Sequence, residues 1–234
     1  MDTLLTIVRV LPWSDWVALV VFFGGWFGYA TFAKQRTGAK QSLLALTNLE
    51  RHRWMLQSTR RDNRVLDGVV VQSLSASPSF FASTTILIIG GLLAVLSTSE
   101  QATEIVREIP FAARTSILVF DLKLVLLTAI FVYAFFRFTW SLRQYSFGAL
   151  LVASAPGHDQ YSEESQRQAF ADRAGRVMGL AAESFNDGLR GYYFAFAVTA
   201  WFFSAWAFMF GTLGVIWILY RREFHSEVLG VLRG

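Results

Sequence analysis

Asp121 and Lys123 are the only Asp, Glu, Lys or Arg side chains in the stretch 116–136 (SILVFDLKLVLLTAIFVYAFF). A charge in hydrocarbon is expensive, so an acid and an ammonium in such a run mark a pore, a relay, an interhelical ion pair or the membrane boundary. Residues two apart on a helix do not face each other. Asp121 is therefore expected to face helix partners, while Lys123 snorkels toward water. Ser83, Thr84 and Thr85 place three hydroxyls in a second apolar run. Arg137, Arg143, Asn186 and Arg190 border apolar stretches and could form a polar mouth for an anion or an anionic lipid head group. The same arginines also read as ordinary flanking charge.

Other chemistries lack their residues. Cys is absent, which removes thiolate catalysis and Cys-ligated metals. His52, His158 and His225 are scattered without ligand spacing, so no metal and no cofactor is expected. Glu163 and Glu164 read as the start of a helix, not as an acid/base pair. No Gly-rich phosphate loop, GxSxG elbow or HExxH occurs. Intramembrane enzymes can lack such motifs, so this weakens an enzymatic reading without abolishing it.

Composition says what must position these residues. Of 234 residues, 54% are hydrophobic and only 16% charged, against about 25% in soluble chains. Four stretches carry an apolar run of about 20 residues, the length that crosses about 30 Å of hydrocarbon. They predict an all-α integral membrane protein, one membrane domain over 1–234, with transmembrane helices at about 15–33, 79–98, 115–138 and 192–220. The last has 29 uncharged residues and should tilt or overrun the bilayer. Asp2, Arg9 and Asp15 precede the first run, so it lacks the positive n-region of a cleaved signal.

The intervening segments, about 41–77 and 139–190, read as helical. Leu46, Leu49, Arg53 and Leu56 follow 3–4 spacing, as do Phe170, Ala174, Val177, Ala181 and Phe185. Ser77-Pro78 suits the first turn of the second span. Span three should continue to Ala153 before Pro156-Gly157 ends it.

Basic residues orient the chain. Eight Lys/Arg lie in 34–79 and six in 137–191, fourteen in all, against six on the other face. The positive-inside rule then puts both termini on the non-cytoplasmic side, with Arg221 and Arg222 dissenting. Membrane insertion also accounts for the net charge of +4, so no nucleic-acid partner is expected.

Small residues recur at helical spacing. Ala197, Ala200, Ser204, Ala207, Gly211 and Gly214 form one stripe, Ser83, Gly90, Ala94 and Ser97 another, and Gly24 and Gly28 a GxxxG. Lipid is as apolar as Leu, so membrane helices associate through close backbone approach, which small side chains permit. The stripes fit packing within the four helices or contact between copies. Membrane lipids and a second copy are the expected partners.

Several strings resemble one family: 61–68 (RDNRVLDG), 77–91 (SPSFFASTTILIIGG), the Asp121–Lys123 neighbourhood, 134–145 (AFFRFTWSLRQY), 185–194 (FNDGLRGYYF) and 219–224 (LYRREF). They are similar to bacterial integral membrane proteins catalogued as domain of unknown function 599. The resemblance implies a bacterial inner-membrane protein of four helices and carries no activity, ligand or catalytic residue. Two functions stay open. One is an oligomeric channel or transporter for a small solute or ion, built on Asp121, Lys123 and the hydroxyls. The other is a non-transporting scaffold or accessory subunit, built on the small-residue stripes.

Overall fold

The computed structural model describes residues 11–38, 42–108 and 116–233. Residues 41 and 115, which begin two expected segments, and Arg9, Lys40 and Arg114 of the charge count lie outside them. Every described element is helical: α1 Trp13–Gly38, α2 Leu43–Ser58, α3 Val65–Ser97, α4 Ser99–Glu108, α5 Ile117–Ala153, α6 Glu164–Ala200, α7 Ala205–Phe224 and α8 Glu227–Arg233. A 3-10 turn, His158–Gln160, precedes α6. Among the described residues, three helical stretches are long and apolar enough to cross a membrane: Trp13–Ala33, Val65–Ser97 and Ile117–Ala153.

Two expected helix boundaries change. The second apolar helix starts at Val65, so Pro78 lies in the interior of α3, not in its first turn. The Asn63 side chain accepts from Val65 N–H at 2.8 Å and closes that early start. Proline breaks helices by lacking an N–H and crowding the turn before it. Here the 33-residue helix carries through.

The larger change falls in 192–220. The 29-residue run is not one helix. Turns at 201–203 end α6, and α7 starts at Ala205. Trp201 N–H bonds Val198 O at 3.0 Å and Phe203 N–H bonds Ala200 O at 3.1 Å, the tightened pattern of a helix end. Ser204, counted among the stripe residues, accepts from Ala207 N–H at 3.0 Å through its hydroxyl. It therefore caps α7. Composition cannot reveal this break, because both halves are equally apolar.

By contacts the chain divides into two compact units, each discontinuous in sequence. One comprises Met1–Lys34, Thr85–Tyr133 and Arg190–Arg222; the other Gln35–Thr84, Ala134–Leu189 and Glu223–Gly234. The first unit has an aromatic core. Phe22, Phe194, Trp201 and Phe208 are buried there, and Trp26 stacks on Phe194 at 5.0 Å. The second unit buries Met55, Val71, Tyr145, Phe170 and Met178. The 170–185 periodicity faces this core, with Phe170, Ala174 and Ala181 buried. On α2 the buried positions are instead Leu44, Met55 and Ser58, while Arg53, placed on the expected face, is exposed.

Glycines set helix spacing in the second unit. A Cβ on Gly175 would meet the His52 backbone at 3.0 Å, and one on Gly179 would meet the Asn48 amide at 3.1 Å. Gly175 and Gly179 form a GxxxG on α6 against α2, a close approach that the sequence reading did not single out.

Candidate functional site

Lys123 does not reach for water. It sits on the inner face of α5, 2% exposed, and its Nζ donates to Trp201 O at 2.8 Å. The ammonium also lies 5.3 Å from the Trp201 ring centroid and 5.7 Å from that of Phe202. Trp201 is the residue after α6, where carbonyls lack intrahelical donors and the helix dipole is negative. The lysine thus caps the end of another helix.

The acid of this cluster is Asp15, 7% exposed in the first turn of α1. Its Oδ1 accepts from the Trp201 indole N–H. Lys123 feels the Asp15 field as its main favourable charge. One tryptophan therefore bridges a carboxylate and an ammonium from two other helices, through its ring N–H and its carbonyl. A cation–π contribution of about 0.5–2 kcal/mol adds to the carbonyl bond. Asp121 points elsewhere, as the two-residue offset requires. It is half-buried, and its Oδ1 is enclosed with no hydrogen-bond partner among the described residues.

The three hydroxyls of α3 separate in the same way. Ser83 is exposed, and Thr84 Oγ1 bonds back to Phe80 O at 2.9 Å. Thr85 is buried and shares a 2.7 Å hydrogen bond with the Tyr192 hydroxyl. The four residues of the expected polar mouth each have surroundings of their own. Arg137 pairs with Asp187, and its Nε is enclosed with no partner among the described residues. Arg143 is exposed, its guanidinium 5.8 Å from the Phe147 ring centroid. Asn186 is half-buried. Arg190, 8% exposed, lies over Tyr29 at 5.8 Å and belongs to the other unit.

The small-residue stripes divide too. A Cβ on Gly211 would lie 3.5 Å from Ala197 Cα and 3.7 Å from Ala200 Cβ. The stripe read as one helical face is therefore two half-stripes packed on each other. Gly24, Gly28, Gly90 and Gly214 have open space around them, and Ala94 is exposed. Ala207 is half-buried on α7. The close-packed glycine of α1 is Gly25, whose Cβ would meet Ile216 Cδ1 at 2.7 Å. An apolar groove of about 500 Å³ lies between α1 and α5, lined by Phe23, Trp26, Phe27 and Tyr133 among others.

The second unit holds buried charge of its own. Asp67 is 0% exposed and accepts from Trp54 Nε1 at 2.7 Å and Arg61 Nη1 at 2.5 Å. Arg64 donates to Ala155 O at 2.7 Å and to Pro156 O. Arg167 donates to Thr59 O and His158 O, each at 2.6 Å. These arginines tie the ends of α2 and α5 to the loop before α6. The string 61–68 thus supplies the carboxylate and two of the guanidinium clamps. Nearby on α2, Arg51 bonds Asn48 Oδ1 at 2.8 Å. Burial lowers its pKa, opposed by the charges of Tyr145 and Glu183. A polar pocket of about 190 Å³ between α2 and α6 is lined by Asn48, His52, Asp172 and Arg176 beside the two glycines. His52 Nδ1 lies 3.3 Å from Asp172 there.

A family model described as protein of unknown function, DUF599, matches residues 17–228. The chain belongs to this family. No curated protein and no solved structure matches. The matched region takes in Lys123, Trp201 and the whole Asp67 cluster, whereas Asp15 lies just before it. The sequence reading singled out Lys123 but neither of its partners. The available signal was an acid placed directly before the first apolar run, and it bore only on whether that run was a leader.

Proposed function

We propose that the chain is a non-conducting scaffold or accessory subunit of the bacterial inner membrane. The observation that carries the reading is the use to which Lys123 is put. An intramembrane charge in a pathway must meet water, ion or substrate. Here the ammonium is enclosed, bonded to the carbonyl that ends α6, and balanced by Asp15 beside the same tryptophan. The charge holds helices together. The hydroxyls support this reading, since Ser83, Thr84 and Thr85 turn outward, back to their own helix and inward respectively. In this reading α1 enters from the non-cytoplasmic side, the segments 42–58 and 154–164, which belong to the two Lys/Arg-rich stretches 34–79 and 137–191, lie in the cytoplasm, and the exposed Gly24 and Gly28 face lipid or a second copy.

Purified protein in liposomes is expected to leave a broad ion and solute panel impermeant. Flux above that of protein-free vesicles overturns the reading. Native mass spectrometry from lipid nanodiscs should show the chain in a stoichiometric assembly, with itself or with another subunit.

One observation favours a transporter instead: the enclosed, unpartnered Oδ1 of Asp121 on a spanning helix. That reading requires flux that Asp121→Asn abolishes while expression and thermal stability stay unchanged.

A further inference from the structure

We infer that 190–222 is a helical hairpin that returns to the face of the membrane from which it enters, so the C-terminus shares the compartment of the 42–58 and 154–164 segments. A hydropathy reading of one 29-residue span puts it on the opposite side.

Three pairings at successive levels define the hairpin. At its tip, α6 ends at Ala200 and α7 starts at Ala205, with Ser204 as cap. Midway, Gly211 packs on Ala197 and Ala200. At its open end, Arg222 donates to the Tyr193 hydroxyl and lies 5.2 Å from that ring centroid. Positions rising along α7 thus meet positions falling along α6, the signature of an antiparallel return. The tip is held by the two charged groups described above, Asp15 to the Trp201 ring and Lys123 to its carbonyl. Asp15 lies in the first turn of α1, so the tip reaches the level where α1 begins.

The chain beyond the hairpin gives an independent argument. Glu223 Oε1 accepts from Leu44 N–H at 3.1 Å, at the start of α2, and α8 packs on α2. Two groups in a hydrogen bond cannot lie on opposite sides of about 30 Å of hydrocarbon. Residue 223 is therefore on the side of residue 44. Charge agrees. Arg221, Arg222 and Arg233 move to the basic side, and the count changes from fourteen against six to seventeen against three. The pair that dissented from the earlier orientation now conforms to the rule.

The identity of that side as cytoplasmic rests on the orientation proposed above; the hairpin does not. The chain has no native cysteine, so single-cysteine variants report position cleanly. Val231→Cys on α8, Asp159→Cys before α6 and Glu100→Cys on α4 are all at exposed positions. Each would be treated with a membrane-impermeant maleimide, in intact spheroplasts and after permeabilisation. The expected result is immediate labelling of Glu100→Cys, and labelling of the other two only after permeabilisation. If Val231→Cys and Asp159→Cys label at once and Glu100→Cys is protected, the orientation fails and the hairpin stands. Val231→Cys labelling on the opposite side from Asp159→Cys overturns the hairpin. All three on one side overturns the spanning reading and the hairpin with it.

Discussion

Asp15 with Trp201 in one unit and Asp67 with Trp54 in the other are the same device: a buried carboxylate accepting from an indole N–H. What completes each pair differs. Asp15 is matched by a lysine that spends its donor on a helix-end carbonyl. Asp67 is bonded directly by Arg61, a partly exposed guanidinium among neighbours that clamp loop carbonyls. An ammonium is a compact charge on a flexible stem and can close one carbonyl deep among apolar helices. A guanidinium is a planar fork, suited to gathering several carbonyls where a connecting segment must be held. The first unit therefore uses charge sparingly to fix a helix end. The second uses it repeatedly to organise the junction of α2, α5 and α6.

The largest effect expected from disturbing this contrast is at Lys123. Lys123→Met keeps an unbranched side chain one atom shorter but leaves Asp15 buried without its balancing charge. Breaking a buried charge arrangement on one side costs about 3–5 kcal/mol. Folded yield in mild detergent should collapse, and the double change Asp15→Asn with Lys123→Met should recover part of it. A single variant as stable as the parent by thermal scan refutes the structural role of the cluster.

Gly175→Leu ranks next, because the added side chain meets α2 backbone and not a flexible side-chain tip. Overpacking of this kind costs about 1–3 kcal/mol or more. A lowered melting temperature is expected, with looser protease protection of α2. Gly25→Leu should cost less, since Ile216 Cδ1, the atom it meets, can move.

Arg64→Ala removes two carbonyl bonds in the second unit. Hydrogen bonds from charged groups contribute about 1.5–3 kcal/mol each when buried, and less at a partly exposed site such as this. The loop 154–162 should become the earliest site of proteolysis, while Trp fluorescence from the first unit's core stays unchanged. If both units lose structure together, the contrast between them is wrong.

The smallest effect is predicted for Gly24→Leu and Gly28→Leu, which meet open space. Monomer stability should hold within about 0.5 kcal/mol, as at surface sites generally. A change in assembled mass in nanodiscs without a change in stability would assign this face to contact between copies.

Much of this architecture is legible in residue order. Low charge and long apolar runs point to helices able to cross a membrane, because only helices and closed barrels satisfy backbone groups in lipid. The extension of α5 to Ala153 is legible from Pro156-Gly157, and the buried face of α6 from its periodicity. The non-pairing of Asp121 and Lys123 follows from helix geometry alone.

Tertiary structure decided the rest. Whether 192–220 is one helix or two depends on Ser204 finding a cap position, and on Lys123 and Asp15 arriving from distant segments to close the end of α6. Local periodicity carries no record of such long-range bonds. The same holds for Gly25 and Gly175, whose neighbours come from other helices, while the more conspicuous Gly24 and Gly28 face open space. Hydrophobicity sets how much of a chain must leave water. Which charge closes which helix, and where the chain turns back, are settled only when the helices meet.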